Sequence, residues 1–233
     1  MKLVSCIMPA RGRREFAAQA VDSFLAQTYP NKELLICDDI DDPAFPGGVK
    51  TGHPILRFLS NSRSIAEKRN DLCELSAGSI IAHFDSDDWS APDRLADQVA
   101  RLEESRKAVT GYSSMIFFDG QNLGRYLGMA NYALGTSLCF RREWWKWHKF
   151  PVATQIDAIT QLAIGEDNEF VAEAMNQHEI MSVEGLGMMV ARVHPGNSSR
   201  KNMGDYSPID LNRLPEGFPF EGRTAQASAH ISA

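Results

Sequence analysis

The chain has 233 residues, of which 43% are hydrophobic and 23% charged, a composition typical of a soluble globular protein. This length and composition exclude a mainly disordered, collagen-like or coiled-coil chain, and they favour one large α/β domain over two small ones. The 24 basic and 30 acidic side chains give a formal net charge of -6. We therefore expect no broad nucleic-acid-binding face, because such a face needs a basic surface.

The cysteines and the N-terminus bear on the cellular compartment. No two cysteines form a CxxC pair, so we expect reduced, buried thiols, as in a cytoplasmic protein, at Cys6, Cys37, Cys73 and Cys139. The first apolar run ends at Pro9 and is too short for a secretory signal or a membrane span. No other segment reaches transmembrane length, and we expect a cytoplasmic chain.

The first half alternates short apolar runs with helical periodicity. Strands are predicted over Leu3–Met8, Glu33–Cys37, Ile55–Leu59 and Ser79–Phe84, and helices over Arg14–Gln27, Ser64–Leu75 and a segment opened by Pro92. This alternation predicts a mostly parallel central sheet flanked by helices, an α/β fold of the Rossmann-like kind. Ligands bind such sheets beyond the carboxyl ends of the strands.

The second half is less regular. Strands are predicted over Thr110–Phe118, Leu134–Phe140 and Met188–Val193, and a helix over Asp167–Asn176. Periodicity fades after Lys201, and residues 223–233 read as a loose tail. A tryptophan cluster is expected to pack in the core, with a sugar-stacking platform as the alternative, at Trp144, Trp145 and Trp147.

Two acidic clusters follow predicted strands. In the run 85–88, Asp85 and Asp87 stand at i and i+2 and can aim their carboxylates at one point, and such hard oxygen ligands suit Mg²⁺ or Mn²⁺ holding a diphosphate. The alternative is an acidic helix start. Asp38 and Asp39 close the second strand, where a carboxylate can accept hydrogen bonds from a base or a ribose. Their alternative is a solvated loop.

Three further features bear on chemistry. Glu166 and Asp167 stand at a predicted helix start, where Asp167 is either a general base or a helix cap. His194 ends a predicted strand and is either structural or a metal ligand. No GxGxxG follows the first strand, which argues against a nicotinamide dehydrogenase.

In this order the motifs resemble those of family-2 glycosyltransferases of the GT-A fold. The resemblance covers about residues 3–199, is strongest up to Arg94, and is carried by VSCIMP (4–9), FLAQTYP (24–30), ELLICDD (33–39), IAEKRN (65–70), GSIIAHFDSDD (78–88), GED (165–167) and VHPGNS (193–198). It implies a single GT-A domain over residues 1–200, with a nucleotide-sugar-binding half over 1–108 and an acceptor half over 109–200. An irregular, partly flexible extension over 201–233 would follow.

The resemblance also implies the chemistry and its residues. The reaction would be inverting, metal-dependent transfer of a sugar from a nucleotide diphosphate sugar, with UDP as the nucleotide, to an acceptor hydroxyl. Asp167 resembles the catalytic base, and Glu166 is the second candidate. Nucleotide contacts are implied for Pro9, Ala10, Arg11, Asp38, Asp39, Arg69, Asp85 and Ser86. Ligation of Mn²⁺ or Mg²⁺ is implied for Asp85, Asp87, Asp88 and His194.

The chain also departs from the family pattern. Ile40 and Asp41 replace the usual Gly-Ser, and no QxxRW-type helix occurs, which argues against processive synthesis. Two alternatives stay open. A nucleotidyltransferase would also use paired aspartates and a metal, and three arginines in the loop after the first strand lend it weight. A non-catalytic nucleotide- or sugar-binding module is the other. The acceptor cannot be read from the sequence.

Overall fold

The computed structural model describes residues 1–49, 56–61, 63–152, 155–156, 163–197 and 201–219. Its helices are α1 (Arg14–Leu25), α2 (Ile65–Leu75), α3 (Arg94–Ser105), α4 (Arg142–Trp147) and α5 (Glu166–Asn176). Its strands are β1 (Val4–Pro9), β2 (Lys32–Asp38), β3 (Leu56–Ser60), β4 (Ile80–His83), β5 (Trp89–Ser90), β6 (Val109–Phe118), β7 (Leu123–Leu127), β8 (Cys139–Arg141), β9 (Gln155–Ile156), β10 (Ala163–Ile164), β11 (Ile180–Glu184), β12 (Met189–Arg192) and β13 (Ser207–Ile209).

One mixed sheet organises the chain, in the order β13-β7-β6-β8-β4-β1-β2-β3. The four strands β3, β2, β1 and β4 are all parallel, as the strand–helix alternation predicts. Antiparallel β8 joins them to β6, and β11 and β12 lie parallel to β6. The expected α/β architecture, with a mostly parallel central sheet flanked by helices, is confirmed.

The apolar strands are buried because helices cover both faces of the sheet. Alternate residues of β1 point to opposite sides. Cys6 and Met8 pack with Phe24 of α1 and Leu95 of α3 on one face. On the other face Ile7 belongs to the cluster that contains residues of α2, α4 and α5. The four thiols are free and buried in these layers, as expected.

The predicted strand over Leu134–Phe140 is wrong in its first part. Gly135–Ser137 forms a 3-10 turn, and only Cys139–Arg141 pairs with the sheet. Hydrogen bonds stabilise this turn in place of a strand. The Thr136 hydroxyl donates to Asp88, and the Thr136 carbonyl accepts from Arg94. The Gly135–Ser137 turn therefore lies beside the acidic loop that follows β4.

Other differences lie at the margins of the fold. Helix α1 ends at Leu25, because the Gln27 side chain turns back to the carbonyls of Ser23 and Ala91. Strand β13 pairs with β7 in the region where sequence periodicity fades. Trp144 and Trp145 are buried, whereas Trp147 is 79% exposed. Ile55 and residues 223–233 lie outside the described residues. Among the described helices, none combines the length and the apolarity that a bilayer crossing needs.

Candidate active site

Arg69 joins two of the predicted site motifs. From the buried face of α2, its guanidinium donates to Asp85 Oδ1 at 3.1 Å and also to Glu166 at the start of α5. Burial would raise the pKa of Asp85, but Arg69, followed by His83, outweighs it and holds that pKa at about 2. Asp85 is therefore ionised at neutral pH. Burial raises the pKa of Glu166, with Arg69 opposing.

Asp87 is surrounded by hydrogen-bond donors. Its Oδ2 lies 3.0 Å from Arg13 Nη1, 3.1 Å from His194 Nε2 and 3.4 Å from Asn197 Nδ2. Burial raises the pKa of this carboxyl, but the hydrogen bond from His194 and the charge of Arg13 outweigh burial and lower the pKa. The Gly196 N–H donates to His194 Nδ1 at 3.1 Å, so in this arrangement the ring proton lies on Nε2 and points at Asp87.

Asp88 faces away from solvent. Its Oδ2 accepts from the Thr136 hydroxyl at 2.5 Å, and its Oδ1 accepts from the backbone N–H of Arg192 at 3.1 Å. Burial, with Asp87 adding to it, raises the pKa of Asp88 to about 6. Asp88 thus ties the acidic loop to β12 and to the Gly135–Ser137 turn.

The two aspartates after β2 have different surroundings. Asp38 is fully buried, and its carboxylate accepts the backbone N–H groups of Asp39, Ala44 and Phe45, so it shapes the loop. Asp39 Oδ2 lies 3.2 Å from the buried Lys68 Nζ. Lys68 also donates to the carbonyl of Ala10 at 3.0 Å, which connects the ends of β1 and β2.

Asp167 is the second residue of α5, and its Oδ1 accepts the N–H of Asn168 at 2.9 Å. The cap position belongs to Gly165, so Asp167 does not act as the helix cap. Its carboxylate lies against the α-carbon of Gly135, where an added Cβ would overlap it. The buried His83 donates from Nδ1 to the Gly135 carbonyl at 2.7 Å, and this hydrogen bond stabilises the Gly135–Ser137 turn.

The remaining predicted residues are spread around this edge. Pro9 is partly buried at the end of β1. Arg11 is exposed, and its nearest acidic partner is Asp42 at 3.8 Å. Ser86 is 1% exposed, and its Oγ has no hydrogen-bond partner within the part of the chain that is described. Ser198 of the late motif lies outside the described residues.

A divalent cation fits this donor set only with help from other ligands. Within the described ranges, no three His, Cys, Asp or Glu side chains come together as a ready-made metal site. Mg²⁺ commonly binds through one or two carboxylates and completes its shell with water and substrate phosphate. Asp87 and Asp85, both partly exposed at 13% and 21% of their side-chain surface, meet that description.

Several contacts of the site join residues far apart in sequence and have no local sequence signal. Arg13 and Arg192 both reach Asp87, the first through its carboxylate and the second through its carbonyl. Lys68, which directly precedes the implied nucleotide contact Arg69, pairs with Asp39. The capping box of α2, Ser64 with Glu67, is a sequence signal that fixes where the helix begins and hence which of its residues face the site.

Comparison with known proteins identifies the family. The model of glycosyl transferase family 2 matches residues 5–156. A putative glycosyltransferase, EpsE of Bacillus subtilis, is 31% identical over 123 residues, which are 50% of this chain and 44% of EpsE. The UDP-Glc:alpha-D-GlcNAc-diphosphoundecaprenol beta-1,3-glucosyltransferase WfaP of Escherichia coli is 32% identical over 117 residues, 49% of this chain and 46% of WfaP. The chain thus spans about half the length of these curated relatives.

Solved structures show the same fold. S. aureus TarS 1-349 in complex with UDP-GlcNAc aligns with a TM-score of 0.64 at 17% identity, over 85% of this chain and 62% of TarS 1-349. The mannosyltransferase PcManGT from Pyrobaculum calidifontis, in complex with GDP-Man and Mn2+, aligns with a TM-score of 0.59 at 16% identity, over 84% of this chain and 58% of PcManGT. The expected GT-A fold is confirmed, and the chain belongs to glycosyl transferase family 2.

Proposed function

We propose that this protein is an inverting glycosyltransferase that moves a sugar from a nucleotide diphosphate sugar to an acceptor hydroxyl. The observation that supports the proposal is the bridge formed by Arg69, which contacts both Asp85 after β4 and Glu166, the residue directly before Asp167. Family membership favours this activity over nucleotidyl transfer. We assign the donor to the half formed by residues 1–108 and the acceptor to residues 109–200.

The proposed reaction is a single displacement. The acceptor oxygen forms a bond to the anomeric carbon while the bond from that carbon to the diphosphate breaks, and the electron pair leaves with the diphosphate. Asp167 accepts the proton of the acceptor hydroxyl, a role typically worth about 10²–10⁴-fold in rate. The Gly135–Ser137 turn, bonded to His83 and Asp88, lies against the Asp167 carboxylate and limits the space it can occupy.

The donor's charged part would lie against the acidic loop. Asp85 and Asp87 would hold Mn²⁺ or Mg²⁺, and an ion bound there would neutralise the departing diphosphate. A structural neighbour was solved with Mn2+, which supports a divalent metal in this fold. His194 would take part by orienting Asp87, since its Nε2 proton points at that carboxylate.

The nucleotide would be read at the ends of β1 and β2. Asp39, fixed by Lys68, can accept a hydrogen bond from a base N–H. We propose UDP, on the resemblance and on the UDP-GlcNAc bound to TarS, with GDP as the competing nucleotide because PcManGT was solved with GDP-Man. The acceptor is a hydroxyl of unassigned class. The four reduced thiols support a cytoplasmic location.

The proposal is tested by ligand-dependent thermal stability followed by product analysis. UDP, GDP and their sugars are screened with and without Mn²⁺; a ligand at 100 times its Kd stabilises by about 2.7 kcal/mol, which is readily detected. We expect stabilisation by UDP with Mn²⁺ and release of free UDP from a UDP-sugar. Release of pyrophosphate from a nucleoside triphosphate would instead indicate a nucleotidyltransferase, and binding without turnover in the presence of acceptor mixtures would indicate a binding module.

A further inference from the structure

Arg13 is held in an unusual way beside the donor site. It is a non-glycine residue in the left-handed backbone region, with φ +50° and ψ +48°, immediately before α1. Such a conformation is costly for a residue with a Cβ, and it tends to persist where the surroundings or a function require it. From there the side chain crosses to the acidic loop after β4 and to the loop after β12.

The contacts of Arg13 place a positive charge on the predicted metal ligand. A single nitrogen, Nη1, lies 3.0 Å from Asp87 Oδ2 and 2.9 Å from the carbonyl of Gly196. Nε donates to the carbonyl of Arg11 at 3.2 Å. Among the described residues Nη2 has no hydrogen-bond partner, and 25% of the side chain is exposed. The guanidinium can therefore hold Asp87 and still offer donors to an anion.

We propose that Arg13 is an exchangeable counter-ion: it neutralises Asp87 until a divalent cation and the donor diphosphate arrive, and it then donates to the diphosphate. This inference rests on the proposed function. The physical reason is that a divalent cation on Asp87 and the guanidinium compete for the same carboxylate charge and repel each other. A diphosphate relieves that repulsion, because arginine matches phosphate oxygens in charge and geometry.

One substitution at Arg13 should change the Mn²⁺ affinity and the UDP affinity in opposite directions. In Arg13→Gln, Asp87 loses its cationic partner, so Mn²⁺ alone should bind about tenfold more tightly than to the wild type. UDP at saturating Mn²⁺ should bind about tenfold more weakly, because one phosphate contact is gone. A residue that only supported the fold would move both affinities in the same direction or neither.

The experiment measures free Mn²⁺ by electron paramagnetic resonance during titration, and UDP binding by calorimetry. Arg14→Gln is the matched control, because Arg14 is the next residue and is exposed, and it should change neither affinity. Arg13→Lys, which keeps the charge, should lie between wild type and Arg13→Gln in both titrations, and it serves if Arg13→Gln does not fold.

Unchanged or weaker Mn²⁺ binding in Arg13→Gln, or unchanged UDP binding, would overturn the inference. If wild-type protein binds no nucleoside diphosphate with any divalent cation, the proposed function itself fails. If wild type binds UDP normally and Arg13→Gln matches it in both titrations, only the role of Arg13 fails.

Discussion

The α-carbon of Gly135 lies directly against the carboxylate of Asp167, so closely that a Cβ at position 135 would overlap Oδ2 of that carboxylate. The glycine is not in the left-handed backbone region, so its backbone does not need glycine. Glycine is needed at position 135 because any larger side chain would collide with the Asp167 carboxylate. This contact connects the Gly135–Ser137 turn, fixed by Asp88 and His83, to the residue proposed as the base.

Gly135→Ala should therefore displace the Asp167 carboxylate without unfolding the protein. We expect kcat to fall by about 10²-fold or more, the range of a lost general base, while UDP affinity stays within about twofold of wild type. Gly47→Ala is the control, because an added Cβ there meets nothing within 4 Å. Steady-state kinetics with calorimetry would check this. Normal turnover in Gly135→Ala would show that the carboxylate position is unimportant.

Arg69 should make donor binding insensitive to mild acid. In the wild type the pKa of Asp85 is about 2, and Arg69 is the main charge that holds it there against burial. Arg69→Met removes the main charge that opposes burial, so the pKa of Asp85 rises and Asp85 takes up a proton more readily as the pH falls. UDP binding by the variant should then weaken as the pH falls through that raised pKa, whereas binding by the wild type should stay constant over the same range.

The control for this experiment is Arg63→Met, which removes an exposed arginine just before the same helix, paired with Asp71 and not with Asp85. Calorimetry at several pH values gives the comparison. Parallel pH profiles for Arg69→Met and wild type would refute the assignment of Asp85 to the donor site or the dominance of Arg69 over it.

Asp39 should contribute to binding of the nucleotide base and not to binding of the phosphates. Asp39→Asn keeps the size of the side chain but weakens its acceptor and its pairing with Lys68. We expect UDP affinity to fall about tenfold while the affinity for pyrophosphate with Mn²⁺ is unchanged. Competition binding with both ligands checks this. Equal losses for the two ligands would remove Asp39 from the base site.

Asp88 should make the protein less stable as the pH rises through the acidic range. Its pKa is raised from 3.8 to about 6 in the folded chain. Between these values the unfolded chain has released this proton and the folded chain still holds it, so rising pH favours unfolding. Asp88→Asn keeps the acceptor for the Arg192 N–H and should remove this component. Chemical unfolding from pH 4 to 7 with a chelator present would compare the two slopes, and identical slopes would contradict the prediction.

Local pattern predicted the parallel half of the fold well. The apolar strands β1, β2 and β4 and the helix α2 are determined by neighbouring residues, so periodicity finds them. The order of the motifs also indicated the family, which the comparisons confirm. The first part of the strand predicted over Leu134–Phe140 failed because the polar partners of the turn found there, Asp88 and Arg94, lie more than forty residues away in sequence.

The site was harder to predict for the same reason. Arg13 contacts Asp87 across 74 residues, and no local signal distinguishes it from Arg11 or Arg14. Lys68 and Arg69 are adjacent, yet one reaches Asp39 and the other Asp85, which depends on how α2 is rotated against the sheet. Asp38 and Asp39 look equivalent in sequence. Only the structure shows that the Asp38 carboxylate already accepts hydrogen bonds from backbone N–H groups of its own loop.

Turnover by Asp167→Asn is the direct test of Asp167 as the general base of a sugar transfer. UDP release from a UDP-sugar is measured with Mn²⁺, alongside melting temperature and UDP affinity, for Asp167→Asn, Glu166→Gln and the control Glu169→Gln from the same turn of α5. We expect Asp167→Asn to lower kcat by about 10²-fold or more while its melting temperature and UDP affinity match those of the wild type. Normal turnover by folded Asp167→Asn would contradict it, and the same kcat loss confined to Glu166→Gln would move the base to Glu166.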